Sequence, residues 1–304
     1  MRNEIGLICL GPDGDVVYDR ARLSAVDRGF TLGDGVFETM VASEEHIAFW
    51  DRHMGRLRAG LEVLRLPIPW SDAELADASN EALNIGGYKA ATVRLSITRG
   101  VATSRGLVPP PSGRPRAIVE VRPFKPYPPA LYERGLRLAT VAIRRNDQSP
   151  LSRIKSLCYL DNVLARLSAE TNGSDDALLL NTRGFVACSS ASNVFLVTDH
   201  QLTTPDAGSG ALGGITRSAI AEVATRGQAW DFVEAQVAPS ELWQAQEVFL
   251  TNSLWGVMPV TSVDGRAIGR GVPGTAVEIL SASLDRLRGF SPRRAANSAG
   301  ALGV

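Results

Sequence analysis

Four prolines, Pro123, Pro126, Pro128 and Pro129, fall within seven consecutive residues of this chain. Each lacks a backbone N–H and fixes φ near −65°, so neither a helix interior nor a central strand runs through them. The chain must be built in two parts, with these residues as the connection. The expected organisation is an N-terminal α/β domain over residues 1–122, a linker over 123–133 and a C-terminal domain over 134–290. Residues 291–304, rich in Ser, Ala, Gly and Arg, read as a flexible tail. With 304 residues in all, each part is long enough to enclose a core.

In the first part, apolar runs at 4–9 and 15–18 flank Gly11-Pro12-Asp13-Gly14, which predicts two strands around a turn. Gly29, Gly33 and Gly35 predict a tight irregular loop before a strand at 36–41. Residues 51–66 place Met54, Leu57, Leu61 and Leu64 on one helical face, with His53 and Arg56 sharing the next. A second helix is expected over 72–84 with Ser71 as its N-cap. Strands at 90–98 and 117–121 flank a Gly/Pro-rich stretch, 99–116, that reads as a long loop. The second part reads as strands at 136–143, 176–181, 184–188, 193–198, 247–251 and 259–263. Helices are expected from about 160 to 170, 215 to 225 and 273 to 288. The first of these carries Leu160, Val163, Leu164 and Leu167 on one apolar face.

The charges balance, 32 basic against 32 acidic, so no overall field draws the chain to nucleic acid or to an anionic membrane. No apolar run reaches the length of a membrane span, and no secretory signal is visible. Cys9, Cys158 and Cys188 have neither metal-ligand spacing nor a paired framework, which suits a reducing compartment. The expected location is cytoplasmic, with no metal site.

Lysine is scarce: Lys89, Lys125 and Lys155 stand against 29 arginines. Lys155 lies just before the helix at 160, in Ile154-Lys155-Ser156-Leu157. Lysine, unlike arginine, can lose its proton when desolvated and attack a carbonyl. The same residue also reads as a solvated lysine near a helix start. Residues 207–214 (Ala-Gly-Ser-Gly-Ala-Leu-Gly-Gly) open directly into Ile215-Thr216, and free N–H groups at a helix start attract an anion. A plain flexible loop has the same composition.

Taken in order, the motifs carry a resemblance. They are Gly33-Asp34-Gly35-Val36-Phe37-Glu38-Thr39, His53 with Arg56-Leu57, and Ile154-Lys155-Ser156-Leu157. Gly184-Phe185-Val186 follows, then Ser192-Asn193-Val194-Phe195, Gly214-Ile215-Thr216-Arg217 and Met258-Pro259-Val260. The chain resembles the class IV aminotransferases, the fold-type IV pyridoxal-phosphate enzymes, from about residue 5 to 288. That group includes branched-chain and D-amino-acid aminotransferases and aminodeoxychorismate lyase. The resemblance implies a two-domain fold with a small α/β domain and a larger C-terminal domain around a pseudo-barrel sheet. It implies pyridoxal 5'-phosphate as cofactor and a homodimer as the working form.

By the same resemblance Lys155 matches the Schiff-base lysine that also shuttles protons. Arg56, Gly214, Ile215, Thr216 and Ser253 fall at the phosphate, Tyr159 near the phenolic oxygen, and Asn193 beside the cofactor. Phe37, Arg99, Arg105 and Trp255 are implied to face substrate. Cys188 occupies the register where the family usually has a glutamate paired with the pyridine nitrogen. An ion pair there is worth roughly 4 kcal/mol at about 4 Å and an effective dielectric near 20; a neutral thiol supplies almost none of it. The leading reading is an aminotransferase exchanging an amino group between a small amino acid or amine and a 2-oxo acid. The second is a lyase releasing pyruvate and 4-aminobenzoate, favoured by Thr39 as a proton-relay hydroxyl and by Arg99-Gly100 with Arg105-Gly106. The third is a cofactor-binding protein of low turnover, because of Cys188.

Overall fold

The computed structural model describes residues 6–11, 16–18, 23–43, 46–101, 106–109, 114–227 and 229–290. The expected turn at Pro12–Gly14, Arg105 and the tail 291–304 lie outside them. The chain divides into two compact units. One comprises Met1–Lys125 together with Ile154–Tyr159, the other Pro126–Arg153 together with Leu160–Val304. The first cut falls among the prolines. The Lys155 segment, which the sequence places with the C-terminal half, is part of the N-terminal unit.

The first unit is an antiparallel sheet backed by two helices. Its elements are β1 (Gly6–Leu10), β2 (Val16–Tyr18), α1 (Arg28–Leu32), β3 (Gly35–Ser43), α2 (Trp50–Val63), α3 (Asp72–Gly86), β4 (Ala90–Val101) and β5 (Arg114–Pro123). The sheet order is β2-β1-β5-β4-β3, which leaves β3 as an edge. Burial alternates strictly along most of β4 and β5, the period of a sheet covered on one side only. The covered face, including Met40, Val93, Leu95, Val119 and Val121, packs on Met54, Leu57 and Leu61 of α2 and on Leu75, Ala78 and Ala82 of α3. A leucine buried to that extent contributes about 1.5–3 kcal/mol. The Ser71 hydroxyl and the Glu74 carboxylate exchange hydrogen bonds with each other's backbone N–H, a complete capping box for α3.

Two expectations for this unit change. Residues 28–32 form a short helix rather than an irregular loop, because the Asp27 side chain accepts from Gly29 N and Gly33, at φ +66°, closes the other end. The supposed loop 99–116 gives residues to both strands, with Val101 paired to Arg114 beyond a bulge. Gly100 makes that bulge possible: at φ +82°, a Cβ there would meet the Arg114 carbonyl.

The second unit holds α4 (Pro129–Arg134), β6 (Leu136–Thr140), α5 (Leu160–Thr171), β7 (Asp176–Leu180), β8 (Val186–Ser189), β9 (Asn193–Thr198) and β10 (Gln201–Pro205). It continues with α6 (Ile215–Gly227), β11 (Asp231–Ala235), α7 (Pro239–Gln244), β12 (Glu247–Asn252), β13 (Gly256–Val263), β14 (Arg266–Ala267) and α8 (Thr275–Leu287). Its mixed sheet runs β11-β10-β9-β12-β13-β6-β7-β8, with β14 beside β13. The last strand, β8, turns directly into β9 and lies against it, curling the sheet into a half-barrel. The α5 helix forms as expected but does not bury the expected face. Its packed side is Asn162, Ala165 and Ala169, small residues that let its backbone approach the sheet. Leu160, Val163, Leu164 and Leu167 are 69, 47, 45 and 52% exposed. No helix among the described residues is long and apolar enough to cross a membrane.

Candidate active site

In the first unit, the Lys155 segment extends the open edge of the sheet. Phe37 N donates to the Lys155 carbonyl at 2.9 Å, and Leu157 N donates to the Gly35 carbonyl at 2.9 Å. Val36 and Ser156 form the bridge between them. Ile154 is buried in the core, so the alternation of an extended segment turns Lys155 to the other side. There its Nζ lies 4.2 Å from the Phe37 ring centroid and 5.4 Å from that of Tyr159. The two rings meet edge to face at 5.4 Å. Thr39 is two residues along β3 from Phe37 and directly opposite Arg94 of β4, so both emerge on that face. The Arg94 guanidinium lies over the Phe37 ring at 3.8 Å. Lys155, Thr39, Phe37 and Tyr159 are thus gathered by one unit, with Arg94 beside them.

The covered side of β3 carries a second polar group. Glu38 is fully buried and accepts from Arg56 Nε at 2.8 Å and Nη2 at 2.6 Å, and from His53 Nδ1 at 2.6 Å. Burial alone would raise its pKa; the hydrogen bonds from His53 and Arg56 outweigh it and hold the carboxyl down at about 2. Glu38 is therefore an anion, and His53 must donate from Nδ1. Burial pushes His53 below its ordinary value against the opposing pull of Glu38, leaving a neutral ring. Arg56, expected at a phosphate, is oriented here by this bidentate pair.

Arg99 has a different setting from the one expected of a substrate contact. Its Nε donates to Asp34 Oδ2 at 2.8 Å, and its Nη1 and Nη2 donate to the carbonyls of Arg65 and Leu64 at 3.1 and 2.7 Å. Arg28 donates to the same Asp34 oxygen and to the carbonyls of Gly106 and Leu107. Burial would raise Asp34, but the two guanidinium hydrogen bonds prevail and keep it below its ordinary range. These bonds tie α1 and the β4 end to their surroundings.

The second unit contains the glycine loop and its supports. Arg145 Nε donates to the Gly210 carbonyl at 3.1 Å and Arg183 Nη2 to that of Gly208 at 2.9 Å. Asn193, at the start of β9, donates from Nδ2 to the Leu212 carbonyl at 2.8 Å. A Cβ on Gly214 would sit 2.0 Å from Asn193 Oδ1, so only glycine fits before α6. Ile215 and Thr216, both buried, open that helix. Thr251 of β12 is directly opposite Asn193, and its buried hydroxyl has no hydrogen-bond partner among the described residues. Ser253 and Trp255 lie in the turn after β12, where Tyr132 donates to the Trp255 carbonyl at 3.0 Å. Cys188 sits on β8 in an apolar cluster with Val141, Ala165, Ala177 and Leu179. Burial pushes its thiol up, against the lowering influence of Arg145, so the thiol is neutral.

The family profile of amino-transferase class IV matches residues 35–263. The chain belongs to the class IV aminotransferases. This aminotransferase is 34% identical over 269 residues to a Methanocaldococcus jannaschii protein assigned as a branched-chain-amino-acid aminotransferase, covering 88% of this chain and 92% of that one. A branched-chain amino acid aminotransferase from T.th., solved with pyridoxamine 5'-phosphate, superposes with a TM-score of 0.85 at 28% identity, over 94% of this chain and 95% of that one. A Legionella pneumophila structure assigned as a 4-amino-4-deoxychorismate lyase gives a TM-score of 0.81 at 26% identity, over 88% and 96%. The enzyme is thus an aminotransferase of fold type IV.

Sequence reasoning missed several polar residues of this aminotransferase. Glu38 stood in a quoted motif, but its partners are 15 and 18 residues away and nothing local names them. Arg94 had a faint signal, the one charge on the polar phase of the Thr92–Thr98 alternation. The Thr251-Asn252-Ser253 stretch was a candidate source of phosphate hydroxyls that the sequence alone could not place.

Proposed function

We propose that this aminotransferase works with pyridoxal 5'-phosphate and exchanges an amino group between a small amino acid or amine and a 2-oxo acid. The observation that carries this reading is Lys155, a primary amine beside two aromatic rings on a segment hydrogen-bonded to β3 through its own carbonyl and the Leu157 N–H. Each unit by itself carries residues that suit one part of the cofactor. Its carbonyl carbon would be held by the Lys155 amine. Its phosphate would be held at the start of α6 by the N–H groups of Ile215 and Thr216 and by the Thr216 and Ser253 hydroxyls. The buried Thr251 hydroxyl, which has no hydrogen-bond partner among the described residues, supports this placement. At the ring nitrogen, Cys188 offers a neutral thiol in place of a carboxylate.

When bound, the cofactor supplies an electron sink for the charge left on the substrate's α carbon. Lys155 takes the α proton and returns it, and the Phe37 and Tyr159 rings keep water from that amine. The test is direct. Borohydride reduction of the chain loaded with pyridoxal phosphate should leave a pyridoxyl mass on the peptide carrying Lys155. Lys155→Ala should lose the label and at least about 1,000-fold in amino transfer. An unlabelled Lys155 in the wild type overturns the reading.

Thr39 favours a second reading, since its hydroxyl emerges beside Arg94 on the same face as Lys155. A lyase acting on aminodeoxychorismate would use that hydroxyl as a proton relay. Incubation with aminodeoxychorismate, and separately with amino acids plus 2-oxoglutarate or pyruvate, decides between them: 4-aminobenzoate from the first points to the lyase. The partner we assign to the protein itself is a second copy of the chain, supported by the exposed leucine and valine face of α5. Three unpaired cysteines are in keeping with a cytoplasmic location.

A further inference from the structure

We infer that α8 sets the position of Ser253, with Arg288 as a positioning residue for the phosphate-binding end of the site. The inference rests on the cofactor reading above and extends it to a helix that carries none of the motifs.

The geometry begins with two elements of equal length. The six residues of β12 rise about 20 Å at roughly 3.3 Å each, and the 13 residues of α8 rise about 20 Å at 1.5 Å each. They are fastened at both ends. At the start, the Glu247 carboxylate of β12 accepts from Ala276 N and Val277 N, both at 3.0 Å, closing the free N–H groups of α8. Gly274 makes room for it, since a Cβ there would lie 2.2 Å from Glu247 Oε1. At the far end, just past α8, Arg288 Nη1 donates to the Ser253 carbonyl at 3.1 Å, immediately beyond β12. Its Nη2 donates to Asp285 Oδ1 at 2.5 Å, one turn back, and both side chains are buried.

The peptide between Ser253 and Leu254 is therefore held from both sides. Its carbonyl accepts from Arg288, and its N–H donates to Asn252 Oδ1 at 3.0 Å. A peptide unit is planar, so fixing both groups fixes the plane and with it one of the two torsions that aim the Ser253 side chain. Ser253 itself is partly exposed, so its hydroxyl stays available. The buried guanidinium thus acts on an anion it does not touch.

The experiment titrates the full-length chain, stripped of cofactor, with pyridoxal 5'-phosphate and separately with pyridoxal, which lacks the phosphate. Arg288→Gln should weaken pyridoxal phosphate about 3- to 10-fold, the worth of one hydrogen bond, and leave pyridoxal unchanged. In a Ser253→Ala background the same substitution should add nothing. Because Arg288→Gln removes the positive charge opposite the buried Asp285, Arg288→Gln/Asp285→Asn serves as the stable counterpart and should behave alike. If Ser253→Ala weakens pyridoxal phosphate but neither Arg288 variant does, the positioning role is wrong and the cofactor reading stands. Equal losses for both ligands, or additive losses with Ser253→Ala, also overturn it. If Ser253→Ala changes nothing and the wild type does not distinguish the two ligands, the phosphate placement itself falls, and this inference with it.

Discussion

Glu38 shows how much electrostatic work one buried carboxylate does on the covered side of β3. Its carboxyl is held at about 2 against an ordinary 4.5, so its stabilisation is complete above about pH 4.5 and is lost as pH falls towards 2. The difference corresponds to about 3 kcal/mol. His53 is held below its ordinary 6.5, so acid favours the unfolded chain there too, beginning near pH 6.5. Thermal melts from pH 7 to pH 3 should fall steadily. Glu38→Gln should melt lower at pH 7, with Arg56 deprived of this carboxylate, and show a shallower dependence below pH 4.5, where Asp34 still titrates. A variant that keeps the wild-type slope there would show that Glu38 is not the group titrating. Cys188 makes the opposite case, a neutral group in dry surroundings. Cys188→Glu should cost the cofactor-free chain about 3–5 kcal/mol, because the new carboxylate is buried among aliphatic side chains. Cofactor should restore more stability to the variant than to the wild type if the pyridine nitrogen meets it, so melting with and without pyridoxal phosphate reads the register directly.

Single elements were legible in proportion to how local their causes are. The α3 helix announced itself through Ser71 and Glu74, three residues apart, and α6 through the glycines before Ile215. The helix at 28–32 was hidden because its cap, Asp27, and its stop, Gly33, look the same in an irregular loop. The extra strand residues at 99–101 and 114–116 were hidden because pairing across the hairpin, not composition, makes them strand. The α5 helix was read correctly as a helix and wrongly as to its packed face. Leucine and valine at helical spacing ordinarily mean core, yet here alanines pack and the larger residues face outwards. That reversal is what an interface between copies requires. Leu164→Asp should leave far-ultraviolet circular dichroism unchanged and shift the molar mass by light scattering from two chains to one. A wild type that is already a monomer, or a variant that stays dimeric, removes α5 from the interface.

At the scale of the whole molecule, chain order and spatial membership differ, and no local signal reports it. The prolines marked where the N-terminal unit ends, but nothing in residues 154–159 says that they return to it. Their membership is made by hydrogen bonds to Gly35 and Phe37, more than a hundred residues earlier. The functional motifs were readable in order. Which half holds Lys155 was not. The return also bears on how the protein is made. The 28 residues from 126 to 153 must be closed as a loop before the segment can pair, a cost of about 3 kcal/mol in chain entropy. A fragment ending at residue 125 should therefore melt below the intact unit and regain stability when a peptide of residues 152–160 is supplied; no response to the peptide would mean that β3 needs no edge partner. On the ribosome the consequence is one of timing. The N-terminal unit cannot finish folding when its own 125 residues have emerged, and its sheet stays open at β3 until about 35 more have been synthesised, with an unpaired strand edge exposed to other nascent chains throughout.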